Sequence, residues 1–125
     1  MRPKALLYHL DETSETGAGL RAILREMKIP ALTVDETHLM QRVGTLVSSN
    51  ASARSAAPPS APEAAFLLLS ALGDRQLDRL LAAMRRSGVS VAHKAVLTER
   101  NRDWTLLALM EEIAREHDAF TNHRG

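Results

Sequence analysis

The run Ala65-Phe66-Leu67-Leu68-Leu69-Ser70 has no polar face, since its first five residues are all apolar. A strand of that kind has to be covered on both sides, so it predicts an inner strand of a layered α/β domain. Downstream, Gly73-Asp74 open a helix whose buried face is Leu77, Leu80, Leu81 and Met84, and Gly88 after Arg85-Arg86-Ser87 ends it. Val89 to Leu97 hold a further strand centred on Lys94-Ala95-Val96-Leu97. Asn101 or Asp103 is the expected cap of a last helix that turns Leu106, Leu107, Met110, Ile113 and Ala114 inward. The tail 121–125, beyond Phe120, is expected to fray.

The same order stands upstream. Ala5 to Leu10 form a first apolar strand, and a polar loop fills 11–19. Leu20, Ile23, Leu24 and Met27 then recur at helical spacing in a helix over about 17–28, which Pro30 limits. Ala31-Leu32-Thr33-Val34 make a short strand, and Thr37 is the expected cap of a helix in which Leu39, Met40, Val43, Leu46 and Val47 share a face. Residues 48–63 are Ala/Ser/Pro-rich, with no large apolar side chain to offset ordering entropy, so they predict a flexible insertion in one domain of 1–125. Alternation of strands and helices predicts a small three-layer α/β sandwich. Its four-stranded, mostly parallel sheet is expected in the order 2-1-3-4, flavodoxin-like or Rossmann-like. An antiparallel ferredoxin-like fold requires the order βαββαβ, which this chain does not show.

Composition narrows the function classes. The 125 residues carry 16 Lys+Arg against 15 Asp+Glu, a net charge of +1, and neither half is strongly basic. Generic binding to nucleic acid or an anionic membrane is therefore not expected, and 3% aromatic content supplies few stacking platforms. The absence of cysteine excludes disulfides, thiol catalysis, iron–sulfur clusters and cysteine zinc sites. No apolar run approaches the ~20 residues of a membrane span. The N-terminal apolar stretch is too short for a signal peptide and is followed at once by Asp11 and Glu12, so a cytoplasmic protein is expected.

In an open parallel sheet, ligands bind beyond the carboxyl ends of the strands where the order switches. That places His9 and Asp11, Ser70, and Thr98 to Trp104 on one rim. Thr16-Gly17-Ala18-Gly19 has no phosphate-loop lysine and no third glycine of a dinucleotide fingerprint, and Leu69-Ser70-Ala71-Leu72-Gly73 lacks the first glycine of a nucleophile elbow. His9, His38, His93, His117 and His123 show no metal-ligating spacing, so neither a metal nor a cofactor is expected. The densest set of candidates is Lys94 to Trp104. There Lys94, Thr98, Arg100, Asn101, Arg102 and the only tryptophan leave a strand for a helix. Arginines hold carboxylate or phosphate bidentately, and Trp104 offers an anchor or stacking surface.

Leu77-Asp78 through Gly88, Lys94-Ala95-Val96-Leu97-Thr98 and Asn101-Arg102-Asp103-Trp104-Thr105-Leu106 resemble a bacterial family catalogued as domain of unknown function 3783. Its members show a K-A-x-L-T-P-x-N-R-x-W-like run, and Gln41-Arg42-Val43-Gly44 resembles an upstream family helix. Glu99 stands where the family usually has proline. The resemblance implies that Lys94 to Trp104 is characteristic of the family, and it implies no catalytic residue. Two functions remain expected. One is a small regulatory or interaction module with a protein partner or a second copy. The other is a sensor or enzyme for a small anionic ligand such as a nucleotide, with His9 or Asp11 as base.

Overall fold

A computed structural model describes residues 2–124, with side chains for 2–118; the end beyond Phe120 lies outside the described side chains. The order is β1 (Lys4–Tyr8), α1 (Glu15–Glu26), β2 (Ala31–Val34), α2 (Val43–Ser48), β3 (Phe66–Ser70), α3 (Asp74–Arg86), β4 (His93–Val96) and α4 (Leu106–Arg124). Two 3-10 turns, Glu36–His38 and Asn101–Asp103, precede α2 and α4. The strands lie in the order β2-β1-β3-β4. Leu7, Leu67 and Leu69 face α1 and α3, where they meet Leu20, Leu24, Leu80 and Met84. Leu6, Tyr8, Phe66 and Leu68 face the other way, onto Leu39, Val43, Leu46, Leu106 and Met110. Strands buried on both faces explain the uninterrupted apolar runs.

β1 pairs parallel with β2, and β3 with β4. The central pair is antiparallel: Leu6 stands opposite Leu68, Lys4 opposite Ser70 and Tyr8 opposite Phe66. The sheet is thus mostly parallel and ordered 2-1-3-4, as expected. The expectation of a crevice between the carboxyl ends of strands 1 and 3 is overturned, because those ends point in opposite directions. The segment 35–65 leaves the end of β2 and returns to the start of β3 at the same end of the sheet, so no crossover is needed.

An antiparallel centre flanked by two parallel βαβ units gives the molecule an internal two-fold axis, normal to the sheet at Leu6 and Leu68. The turns repeat with it. His9 after β1 and Ala71 after β3 both have positive φ, 54° and 62°. Lys28 after α1 and Gly88 after α3 do as well, 61° and 70°. Each of the latter pair precedes the same closing bond, Ile29 N–H to the Leu24 carbonyl and Val89 N–H to the Met84 carbonyl, both 2.9 Å. On the opposite face the axis passes a bridge between Arg42 and Thr105. Val43 N–H donates to the Trp104 carbonyl at 2.9 Å, and Leu106 N–H donates to the Gln41 carbonyl at 3.0 Å.

Three local expectations are corrected. Thr37 caps no helix: its own N–H donates to Asp35, which caps the 3-10 turn, and α2 begins only at Val43. Met40 is consequently 46% exposed rather than sharing the buried face. Thr105, not Asn101 or Asp103, caps α4 by accepting the Ala108 N–H at 3.1 Å. Of the expected insertion 48–63, Ser48 closes α2 and 49–63 hold no helix or strand, but Ser55 N–H donates to the Thr37 carbonyl at 2.8 Å.

Two stability effects follow from the backbone. A Cβ on Gly17 would lie 2.0 Å from the Asp11 carbonyl oxygen and 2.6 Å from the Leu10 carbonyl carbon, so Gly17→Ala is expected to cost about 3 kcal/mol. Exposed Lys28 holds a left-handed conformation that glycine adopts freely, so Lys28→Gly is expected to stabilise by about 0.5–1 kcal/mol. Urea denaturation of both variants measures these changes.

Candidate functional site

The residues singled out in the sequence fall at two ends of the sheet. His9 and Asp11 stand at the end shared by Tyr8 and Phe66; Ser70 and Thr98 to Trp104 stand at the end shared by Lys4. They form no common rim, so a base at His9 or Asp11 cannot serve an anion held at Arg100 or Arg102.

At the first end, Tyr8 and His9 stack with ring centroids 3.9 Å apart. The buried Tyr8 hydroxyl donates to the Pro62 carbonyl at 2.7 Å. Burial first, then the neighbouring Glu36 and Asp35 carboxylates, push that phenol up to about 12. His9 Nδ1 lies 2.9 Å from the Glu63 carbonyl and Nε2 lies 2.8 Å from a Glu36 carboxylate oxygen. Both partners only accept, so the geometry selects the doubly protonated imidazolium. Partial burial pulls the His9 pKa down, but the Glu63 carbonyl, the Glu36 carboxylate and the Asp11 charge outweigh it, and the net direction is upward. Glu36 is lowered, chiefly by the His9 hydrogen bond. The result is a clamp that ties the second half's lead-in at Glu63 to β1 and the first 3-10 turn. Asp11 is taken up locally, accepting the Thr13 hydroxyl at 2.6 Å and the Thr13 N–H at 3.2 Å.

At the second end, the polar residues build a turn. Thr98 N–H donates to Asn101 Oδ1 at 2.8 Å, and Asn101 N–H donates back to the Thr98 hydroxyl at 3.1 Å. Asn101 Nδ2 donates to the Val96 carbonyl at 3.0 Å, leaving the buried amide satisfied on both sides. The first half carries the same reciprocal device: Thr37 N–H donates to Asp35, and Asp35 N–H donates to His38 Nδ1 at 2.9 Å. Because Nδ1 accepts, the hydrogen of buried His38 sits on Nε2 and is donated to the Ala51 carbonyl at 2.8 Å. Lys94 Nζ donates to the Val91 carbonyl at 2.6 Å, and Ser70 is buried at the end of β3. Trp104 packs against the core under α4, with the Arg100 guanidinium 5.7 Å from its ring centre.

Arg102 is the residue of this set that stays exposed and unengaged, and the structure adds Arg42, which the sequence offered only as part of a family-like helix. The two line an open depression of about 250 Å³ with Gly44, Thr45, Ser48 and Asp103. A Cβ on Gly44 would lie 3.1 Å from the Arg102 carbonyl oxygen, which is how α2 and the second 3-10 turn come so close. Among the described residues, neither guanidinium makes a hydrogen bond or ion pair. No cluster of three metal-ligating side chains occurs among the described residues, and no helix there is long and apolar enough to cross a membrane.

These features define a two-fold α/β domain with capped turns at both ends of its sheet. Residues 65–120 match the family described as Domain of unknown function (DUF3783), which bears out the resemblance over the second half of the chain. No curated protein and no solved structure matches the chain.

Two outcomes test the site's internal chemistry. His9 has a folded pKa above its ordinary value, so the clamp stabilises fully below that value and loses its contribution as pH rises through the folded one. Glu36 has a lowered pKa and sets the acid limit, its contribution vanishing as pH falls through its folded value. Chemical denaturation between about pH 6 and 9 should show wild-type stability falling with pH, with that slope reduced in His9→Asn. Asn101→Ala strands the Thr98 N–H and the Val96 carbonyl and is expected to cost about 2 kcal/mol in the same assay.

Proposed function

We propose that this protein is a small bacterial cytosolic interaction module that recognises an acidic segment of a partner protein through Arg42 and Arg102. The observation that carries this reading is the depression between α2 and the second 3-10 turn. Two guanidiniums from opposite halves of the chain flank it without an internal carboxylate partner. Elsewhere among the described residues, polar groups near the strand ends hold turns. Guanidinium pairs suit carboxylates bidentately, and an open, shallow site suits a peptide better than a buried metabolite.

A small phosphorylated ligand is the second reading, favoured by the Thr45 and Ser48 side chains on the same wall. Trp104 is the single tryptophan and stands beside this corner, so its emission reports on both. An Asp/Glu-rich peptide is expected to shift it saturably, and Arg42→Ala with Arg102→Ala to weaken that binding at least about tenfold with the circular dichroism unchanged. A response to inorganic phosphate or a nucleotide but not to the peptide would move the function to the second reading. Silence towards all three would refute both.

A further inference from the structure

The bridge between Arg42 and Thr105 lies on the internal two-fold axis, so each residue around it has an equivalent in the other half. Val43 corresponds to Leu106 and Gln41 to Trp104, as their exchanged bonds require. Asp35 and His38 correspond to Thr98 and Asn101, which make the same reciprocal turn. Counted along from those pairs, Gly44 answers to Leu107, Leu39 to Arg102 and Met40 to Asp103. The equivalence holds in space. A Cβ on Gly44 would lie 3.1 Å from the Arg102 carbonyl oxygen, and Leu107 N–H donates to the Leu39 carbonyl at 2.9 Å.

The depression flanked by Arg42 and Arg102 therefore has an image across the axis, and the two are chemically unlike. Where the depression has Arg102 and Asp103, the image has Leu39 and Met40; where it has Gly44 and Thr45, the image has Leu107 and Ala108. Leu39 is buried and Leu107 and Ala108 are half-buried, but Met40 is 46% exposed. Met40 and Val96 are the exposed large apolar residues among those described, and Val96 belongs to the edge strand β4, whereas Met40 stands two residues before Arg42. The image of Ser48 is Glu111, exposed and without an ion pair among the described residues.

We infer, building on the acidic-segment reading, that the segment held by Arg42 and Arg102 carries a large apolar residue among its acidic ones, and that Met40 and Leu107 receive it. Charge sets the occupant. Carboxylates are drawn to the two guanidiniums and repelled by Glu111, so the acids lie on the Arg102 side and the adjoining chain crosses the axis over Met40. Bridged backbones lie about 5 Å apart and extended chain advances about 3.3 Å per residue, which places the apolar residue within about four positions of the acids. The unbranched thioether of methionine adapts its shape to the side chain it meets.

Two fluorescein-labelled peptides test this against the full chain by fluorescence anisotropy: a Glu-rich peptide with a central leucine, and the same peptide with serine there. Wild type is expected to bind the leucine peptide about tenfold more tightly. Met40→Ser changes an exposed position, so the circular dichroism should be unchanged; it should bring the leucine peptide down to the affinity of the serine peptide and leave the serine peptide where it was. Equal binding of both peptides by wild type would overturn the inference and leave the acidic-segment reading standing. So would a Met40→Ser chain that keeps the leucine advantage, or one that weakens both peptides alike. If neither peptide binds, the acidic-segment reading falls and the apolar contact falls with it.

Discussion

Everything in this molecule hangs on the antiparallel pairing of β1 with β3, centred on Leu6 opposite Leu68. Each strand brings its own helix and its own parallel neighbour, and the pairing joins two like halves back to back. It places α1 beside α3 on one face and brings α2 and α4 together on the other. It also sends the carboxyl ends of β1 and β3 to opposite ends of the sheet. That single fact removes the crevice that a fully parallel sheet would have had, and with it the most direct route to a nucleotide site. Two separate ends and two separate faces are left.

The matched family segment, 65–120, corresponds to one of these halves together with the start of its lead-in. β3 in that segment leaves one edge and part of both faces to be covered by β1, so the matched half completes its sheet only against the other. The run from Lys94 to Trp104 earns its prominence through turn chemistry. Thr98 and Asn101 close a reciprocal pair, Trp104 docks under α4 and supplies the carbonyl that Val43 binds, and Thr105 caps the helix. Glu99 sits inside a turn held at both ends by the Thr98–Asn101 bonds.

Much of the layering was legible in the sequence because strands buried on both faces leave unbroken apolar runs, and helices leave a 3.6-residue stripe. Phe66 to Leu69, Leu20 to Met27 and Leu77 to Met84 fall where that pattern put them. Strand direction at the centre was not legible. The alternation of strand and helix is the same whether β3 runs with or against β1, and nothing in the spacing of the segment 35–65 says at which end of the sheet it returns. The same blindness affected the site. His9 meets Glu36 and Glu63 only through that return, and Arg42 meets Arg102 only through the bridge across the two-fold axis, so neither pairing has a spacing that could be read along the chain. Met40 failed for a local reason: a 3-10 turn shifts the phase of the helix it was counted into.

The most direct measurement is cross-strand nuclear Overhauser contacts in the labelled native protein. The account expects backbone contacts linking Lys4 with Ser70 and Tyr8 with Phe66, symmetric about Leu6 and Leu68. Contacts linking Lys4 with Phe66 and Tyr8 with Ser70 would show the two strands parallel. The internal two-fold axis, the separation of the two ends and the antiparallel α1–α3 face would then all fall together.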